Sequence, residues 1–331
     1  MKICYVGNFR SFTARGEAIN TEAHLAASLE SIGHQVVRLQ EDKQTAAGVV
    51  QRVRDEKAGL LLWTRTWPHI LRAGGIEMLR DVPCPSVAYH LDLYAGLPRS
   101  RDIDDEPWWR CKYVFTADGG SDDFWRAHGV NHFWAPPGVY GPECYLAEPG
   151  PVQREIVFVG STKGYHPEWS YREKLINWLR ATYGDRFTVF GRGCEVECVR
   201  GSELNELYAS TKVVIGDSLC LGYNHANYWS DRVTETLGRG GFLLHPAIAG
   251  MEKHFEDGKH LAYYQFENWS GLRHLIDYYL AHGDEREFIR RTGHEHVKAH
   301  HTYLQRMAWM LETVTTAEAA ETAKRMVHAG Y

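Results

Sequence analysis

The sequence contains no apolar run near the ~18 residues that cross a bilayer, and its opening run, Met1 to Val6, stops at Gly7, too short for the core of a secretory signal. It has no G-x-G-x-x-G fingerprint in either half and no Walker A ending, which argues against a dinucleotide or P-loop site. Excess positive charge is lacking too: the net charge is −5, so no global field attracts nucleic acid or an anionic membrane. Cysteine is sparse and unpaired in pattern. Cys4, Cys84, Cys111, Cys144, Cys194, Cys198 and Cys220 are odd in number and scattered, as in a reduced chain, and the expected location is the cytoplasm. Cys194 and Cys198 stand four apart, but no second Cys or His pair at zinc spacing follows, so no metal site is expected.

What is present is ordinary core material. Hydrophobic residues make up 44% and charged residues 24% of 331, enough for two domains of roughly 150 residues each. The spacing predicts alternating strands and helices. Strands are expected at Lys2–Val6, His34–Leu39, Gly59–Trp63, Pro85–His90, Lys112–Ala117 and Asn131–Trp134, with helices at 17–32, 45–56 and about 67–80. Pro136-Pro-Gly138, Gly141-Pro142 and Glu148-Pro-Gly-Pro151 then break the periodicity, predicting a linker over about 136–152. A second series opens at Glu155–Val159, continues with strands at 186–190, 211–216, 241–245 and 261–264, and closes in a mostly helical remainder. Intervening helices are expected at 168–183, 203–209, 229–238 and 268–281. Each series implies a doubly wound parallel sheet, and ligands of such sheets bind at the carboxyl ends of the strands.

The loops at those ends are the candidate site. Gly160-Ser161-Thr-Lys163-Gly and Gly191-Arg192-Gly193 each follow a strand, offering backbone N–H groups and a cation to a phosphate. Gly7-Asn8, Arg65, His90 to Asp92, and Asp217 occupy equivalent positions after other strands. The richest segment is Tyr228-Trp-Ser-Asp-Arg232-Val-Thr-Glu235-Thr-Leu-Gly-Arg-Gly-Gly-Phe-Leu-Leu244. Arg232 and Glu235 stand i, i+3 on one helical face, where a carboxylate can accept two ribose hydroxyls and a guanidinium can neutralise a diphosphate. A surface Arg–Glu pair is the plainer alternative.

This segment resembles the C-terminal signature of GT-B glycosyltransferases, especially the glycosyltransferase-4-like and spore-maturation CgeB-like group. His301-Thr-Tyr303 with Arg306 is similar to the close of that group, and Asn20-Thr-Glu-Ala-His24-Leu through Gly33-His-Gln-Val36 is similar to its opening. The resemblance implies two Rossmann-like domains facing a cleft: 1–150 for the acceptor, 152–305 for the donor, and 306–331 as a helix crossing back to the first domain. It implies sugar transfer from a nucleotide-diphosphate sugar, UDP favoured, to an acceptor hydroxyl, with no metal and no further cofactor. Donor-binding residues would be Gly160, Ser161, Lys163, Gly191, Arg192, Asp217, Asn227, Arg232 and Glu235, with Glu235 on the ribose. His90, Asp92, Arg192 and Arg232 would be catalytic. Gly7, Asn8, Arg65, His90, Trp108 and Trp109 would meet the acceptor. Asn227 departs from the pattern, since retaining relatives carry a second glutamate there. An amide cannot hold negative charge against an oxocarbenium-like centre, so any retention would proceed without that carboxylate.

The acceptor stays open between carbohydrate, small molecule and modified DNA. Arg99, Arg101, Arg110 and Lys112 gather around Trp108 and Trp109, as a strip for a phosphate backbone and a flipped base would, although Asp102, Asp104, Asp105 and Glu106 offset their charge. A phage-type DNA glycosyltransferase, a non-catalytic binder on a degenerate GT-B scaffold and an epimerase of nucleotide sugars are the alternatives. Asp102-Ile-Asp104 is formally a D-x-D metal motif, read as a solvated loop. His294, His296, His300 and His301 are expected on the surface, outside the cleft.

Overall fold

A computed structural model of the chain describes residues 1–10, 20–64, 73–162, 170–191, 199–221 and 225–328. The first half is a six-stranded parallel sheet of β1 (Lys2–Gly7), β2 (Gln35–Gln40), β3 (Leu60–Thr64), β4 (Ser86–His90), β5 (Tyr113–Thr116) and β6 (His132–Trp134), in the order β2-β1-β3-β4-β5-β6. The second half is a five-stranded parallel sheet of β7 (Arg154–Val159), β8 (Phe187–Phe190), β9 (Thr211–Ile215), β10 (Leu243–Pro246) and β11 (Ala262–Tyr264), in the order β11-β10-β9-β7-β8.

Helices α1 (Thr21–Ser31), α2 (Ala46–Asp55), α3 (Gly75–Asp81) and α4 (Asp122–Ala127) connect strands of the first sheet. Helices α5 (Tyr171–Tyr183), α6 (Gly201–Ala209), α7 (Asp231–Gly238) and α8 (Trp269–Ala281) connect those of the second, followed by α9 (Gly283–His300) and α10 (Tyr303–His328). Side-chain caps start several of them. Asn20 Oδ1 accepts from the Ala23 N–H at 3.0 Å, and Thr45 Oγ1 accepts from the Gly48 N–H at 3.1 Å.

The period of two along β1 splits the first half into two layers. Cys4 and Val6 face a core with Val49, Val53, Trp63, Trp108 and Trp109, whereas Ile3 and Tyr5 face Leu25 and Leu29 of α1 and Met307, Met310 and Leu311 of α10. The last helix therefore covers the first sheet, not the second. Two stretches of chain cross between the halves side by side. The Val139 N–H donates to the His301 carbonyl at 3.0 Å, and the Tyr303 N–H to the Val139 carbonyl at 2.8 Å. A Cβ on Gly138 would lie 2.8 Å from the Thr302 carbonyl carbon, so only glycine permits this approach.

Two of the histidines expected on the surface are interior. His294 is buried with Nδ1 2.7 Å from the Gly238 carbonyl, and His301 is buried against Trp229 and Phe255 at the crossing. The 3.6 period of α9 turns His294 inward toward α7. His300 alone of the four is fully on the outside, His296 being half-buried.

Candidate functional site

The carboxyl ends of β7 and β8 are drawn together: the Gly160 N–H donates to the Phe190 carbonyl at 2.8 Å. Two glycines make room for a ligand there. A Cβ at Gly160 would stand 2.6 Å from Arg232 Nη2. Gly191 has φ +143°, and a Cβ there would fall 2.3 Å from the Gly160 carbonyl oxygen. The result is a pocket of about 200 Å³ lined by Gly160, Ser161, Gly191, Arg172, Arg200, Tyr208, Asp231, Arg232 and Glu235.

Asp217, just beyond β9, organises the cationic side of this pocket from beneath. It is fully buried and accepts Arg172 Nε at 2.7 Å, Arg172 Nη2 at 3.3 Å and Arg232 Nη1. Each arginine is tied down a second time, Arg172 Nη1 to the Ser161 carbonyl at 2.9 Å and Arg232 Nε to the Val159 carbonyl at 3.0 Å. Both guanidinium groups lie over the Phe158 ring, at 5.5 and 4.8 Å from its centroid. Two fixed cations share one buried carboxylate, and Arg200, Asp231 and Glu235 add a further guanidinium and two carboxylates to the pocket lining. Asp217 thus holds the arginines from a position with 0% exposure.

Glu235 lines the same pocket but is not the partner of Arg232. Its Oε2 accepts Arg239 Nε at 2.5 Å, an i, i+4 pair, so the surface Arg232–Glu235 pair is absent and the two side chains serve separate networks. Lys163 and Arg192, and with them Arg65, lie outside the described residues, as do Cys194 and Cys198. Arg172, Arg200 and Arg239 went unnoticed in the sequence. Arg172 opens α5 with no flanking motif, and only the tertiary crossing brings it to Asp217.

In the first half, Asp92 is half-buried after β4, and its charge is felt by Asp231 at the pocket. His90 is interior, edge-on to Tyr94 at 5.8 Å and to Trp109 at 5.4 Å. Gly7 ends β1 in the interior, beside Glu22, and Asn8 Oδ1 accepts Gln40 Nε2 at 3.1 Å.

Trp108 and Trp109 do not form a stacking surface. Each is 1% exposed; Trp108 packs against Trp63 at 5.9 Å and Trp109 against Trp125 at 5.3 Å. Glu106 Oε2, itself buried, accepts Trp109 Nε1 at 2.8 Å and the Tyr94 hydroxyl at 2.7 Å. A turn of 3-10 helix swings the apolar pair inward, where burying two indoles outweighs leaving them on a charged rim. Two of the four cations around them are engaged in ion pairs within the protein: Arg110 with Asp104 at 2.5 Å, and Lys112 with Glu318 at 2.6 Å and Glu321 at 3.0 Å. Asp102–Asp104 lies in a 3-10 turn, and no group of metal-ligating side chains occurs among the described residues.

The two halves meet beside this site. Asn227, at φ +53°, accepts the Gly119 N–H on its carbonyl at 3.1 Å, while its amide packs against Gly250 and Gly120. His225 Nδ1 stands 4.0 Å from Oδ1 of the fully buried Asp118, whose Oδ2 accepts the N–H groups of Tyr94 at 2.9 Å and Ala95 at 2.7 Å. Burial pushes the Asp118 carboxyl above the usual carboxylate range. His225 also lines a second, open cavity of about 560 Å³ together with Gly96, Gly120, Ser121 and Asp122.

Residues 172–312, which carry Arg172, Arg200, Arg232 and Glu235, match a family model described as glycosyl transferase-like. No curated protein matches the chain in sequence. Among solved structures, sucrose-phosphate synthase from Thermosynechococcus elongatus superimposes with a TM-score of 0.66 at 11% identity, covering 96% of this chain and 99% of that one. HepE from Anabaena, solved with UDP and glucose, gives 0.66 at 12% identity, covering 95% and 99%. An alpha-glucosyltransferase solved with UDP and DNA containing an HMU base gives 0.68 at 9% identity, covering 95% and 99%. The fold is GT-B, as the sequence reading expected. The resemblance to a glycosyl transferase-like family lies within the second half and the C-terminal helices, and the likeness to the solved structures runs over both halves.

Proposed function

We propose that the second half, about 152–305, binds a UDP-sugar and that the first half presents the acceptor hydroxyl that receives the sugar. The observation that carries this reading is the pocket at the ends of β7 and β8, where three guanidinium groups, of Arg172, Arg200 and Arg232, and the carboxylate of Glu235 line one space of mixed polarity. A nucleoside diphosphate has that polarity, with anionic oxygens for the guanidinium groups and a ribose diol for the carboxylate. The neighbouring structures with UDP support the choice of nucleotide.

In the transfer, the acceptor oxygen bonds to the anomeric carbon as the bond from that carbon to the diphosphate breaks; the electron pair leaves with the UDP and the hydroxyl proton is released to solvent. Arg172, Arg200 and Arg232 take up that charge. Two of the three are already fixed on Asp217, so little reorganisation is needed as charge develops. Three guanidinium groups supply what a divalent cation would supply elsewhere, which supports a metal-independent reaction. To Asp92, half-buried after β4, this reading gives the task of orienting the sugar or the acceptor hydroxyl. The described cysteines carry free thiols, in keeping with a reducing, cytoplasmic setting.

The test is thermal melting with UDP-, GDP-, ADP- and dTDP-sugars in the presence of EDTA. A UDP-sugar at 100 times its dissociation constant is expected to add about 2.7 kcal/mol of stability, and Glu235→Ala to remove the shift. No shift with any nucleotide sugar, or an equal shift in Glu235→Ala, would sink the proposal.

A further inference from the structure

Glu235 is held by a network that runs out of its own half. Arg239 is buried, and four of its N–H groups are directed to named acceptors. Nε donates to Glu235 Oε2 at 2.5 Å, Nη1 to the Gly201 carbonyl at 2.9 Å and Asn205 Oδ1 at 2.6 Å, and Nη2 to Glu143 Oε2. Glu143 belongs to the link between the halves. Asn205 fixes the backbone of that link, donating from Nδ2 to the Glu143 carbonyl at 2.8 Å and the Tyr145 carbonyl at 2.9 Å. From the first half, His24 of α1 brings Nε2 to 3.7 Å from Glu143 Oε2 and stacks on Tyr140 at 4.3 Å.

Two features of this cluster point beyond structural support. Arg239 occupies only Oε2 of Glu235, and no hydrogen bond among the described residues engages Oε1, on a side chain that lines the pocket. Moreover, one guanidinium faces two carboxylates. Burial lowers His24 to about 4, so the imidazole is neutral at pH 7 and it is Arg239 that bridges the two carboxylates. A carboxylate held through one oxygen keeps the other as an acceptor for a pair of hydroxyls.

We propose that Arg239 and Glu143 are positioning residues for ribose recognition: Arg239 clamps one oxygen of Glu235 so that the other meets the ribose diol, and Glu143 holds Arg239 in that pose. This rests on the reading of Glu235 as the ribose-binding group. It makes the link between the halves part of nucleotide recognition, although neither positioning residue touches the nucleotide.

The ratio of affinities for UDP and 2′-deoxy-UDP reads the role directly, because a purely structural defect weakens both ligands alike. By titration calorimetry the wild-type protein is expected to bind UDP at least about tenfold more tightly than the deoxy form. In Arg239→Lys that ratio is expected to collapse toward one. In Glu143→Gln, which keeps an acceptor oxygen and shape, it is expected to fall about threefold. Glu143→Gln decides the matter if Arg239→Lys does not fold. Should the wild-type protein prefer UDP and both variants, or a folded Glu143→Gln alone, keep the full preference, the relay is overturned while the donor reading stands. A wild-type protein with no preference for the ribose form overturns both.

Discussion

Glu22 shows how far burial alone moves a single carboxyl in this protein. It stands beside Gly7 at 7% exposure, and burial, reinforced by the neighbouring charge of Glu41, pushes its carboxyl up to about 7. The folded chain therefore keeps a proton that the unfolded chain releases from about pH 4.5 upward. Stability contributed by this group falls as pH rises to about 7 and stays lost above that, by about 3 kcal/mol. Glu22→Gln is expected to be more stable than the wild-type protein at pH 8 by that order, with the difference vanishing near pH 4. Urea melts across pH 4–8 measure it, and parallel curves for the two proteins would refute it. Asp217 is a buried carboxylate of another kind, paired with two guanidinium groups. Removing it in Asp217→Ala leaves both cations in a buried setting and is expected to cost about 3–5 kcal/mol, read from the denaturation midpoint.

At the scale of strands, helices and loops, the alternating series was legible because buried parallel strands such as Leu60–Thr64 are continuously apolar and their neighbours are capped or stopped by Asn20, Gly33 and Thr45. Helix α4 was not legible: six residues carry too little periodicity to register. The loops that line the pocket were legible from Gly160 and Gly191, and Arg232 with Glu235 from their spacing. Their partners were not, since Asp217 reaches Arg232 across 15 residues and Glu143 reaches Arg239 across 96. Local pattern also misread Trp108 and Trp109, because nothing nearby in sequence reveals that Trp63 and Trp125 wait beneath them. The glycine reading yields a prediction. Gly191→Ala sets a side chain at φ +143° against the Gly160 carbonyl, expected to cost about 1–3 kcal/mol in strain. It should also weaken UDP binding by more than tenfold by narrowing the pocket mouth. Calorimetry showing unchanged affinity would mean that the two loops can part without loss.

For the molecule as a whole, the decisive arrangement is that α10 returns to the first sheet. Met307, Met310 and Leu311 are buried against the layer of Ile3, Tyr5, Leu62 and Tyr89. Met307→Asp places an unpaired charge there and is expected to destabilise the first half by more than about 3 kcal/mol while sparing the second. Hydrogen exchange would show it as lost protection in β1 to β5 with β7 to β10 unchanged; uniform loss throughout would mean that the halves unfold as one unit. The same arrangement sets a timetable for biosynthesis. Translation delivers the first sheet early, yet the helix that covers one of its faces emerges some 170 residues after β6. At about 5–20 residues per second, Ile3, Tyr5 and Leu62 wait on the order of ten seconds or more for their cover, long enough for the later-made half to close first. One apolar face of the first sheet stays without its helix through that interval, and the earliest residues of the chain are among the last to reach their final surroundings.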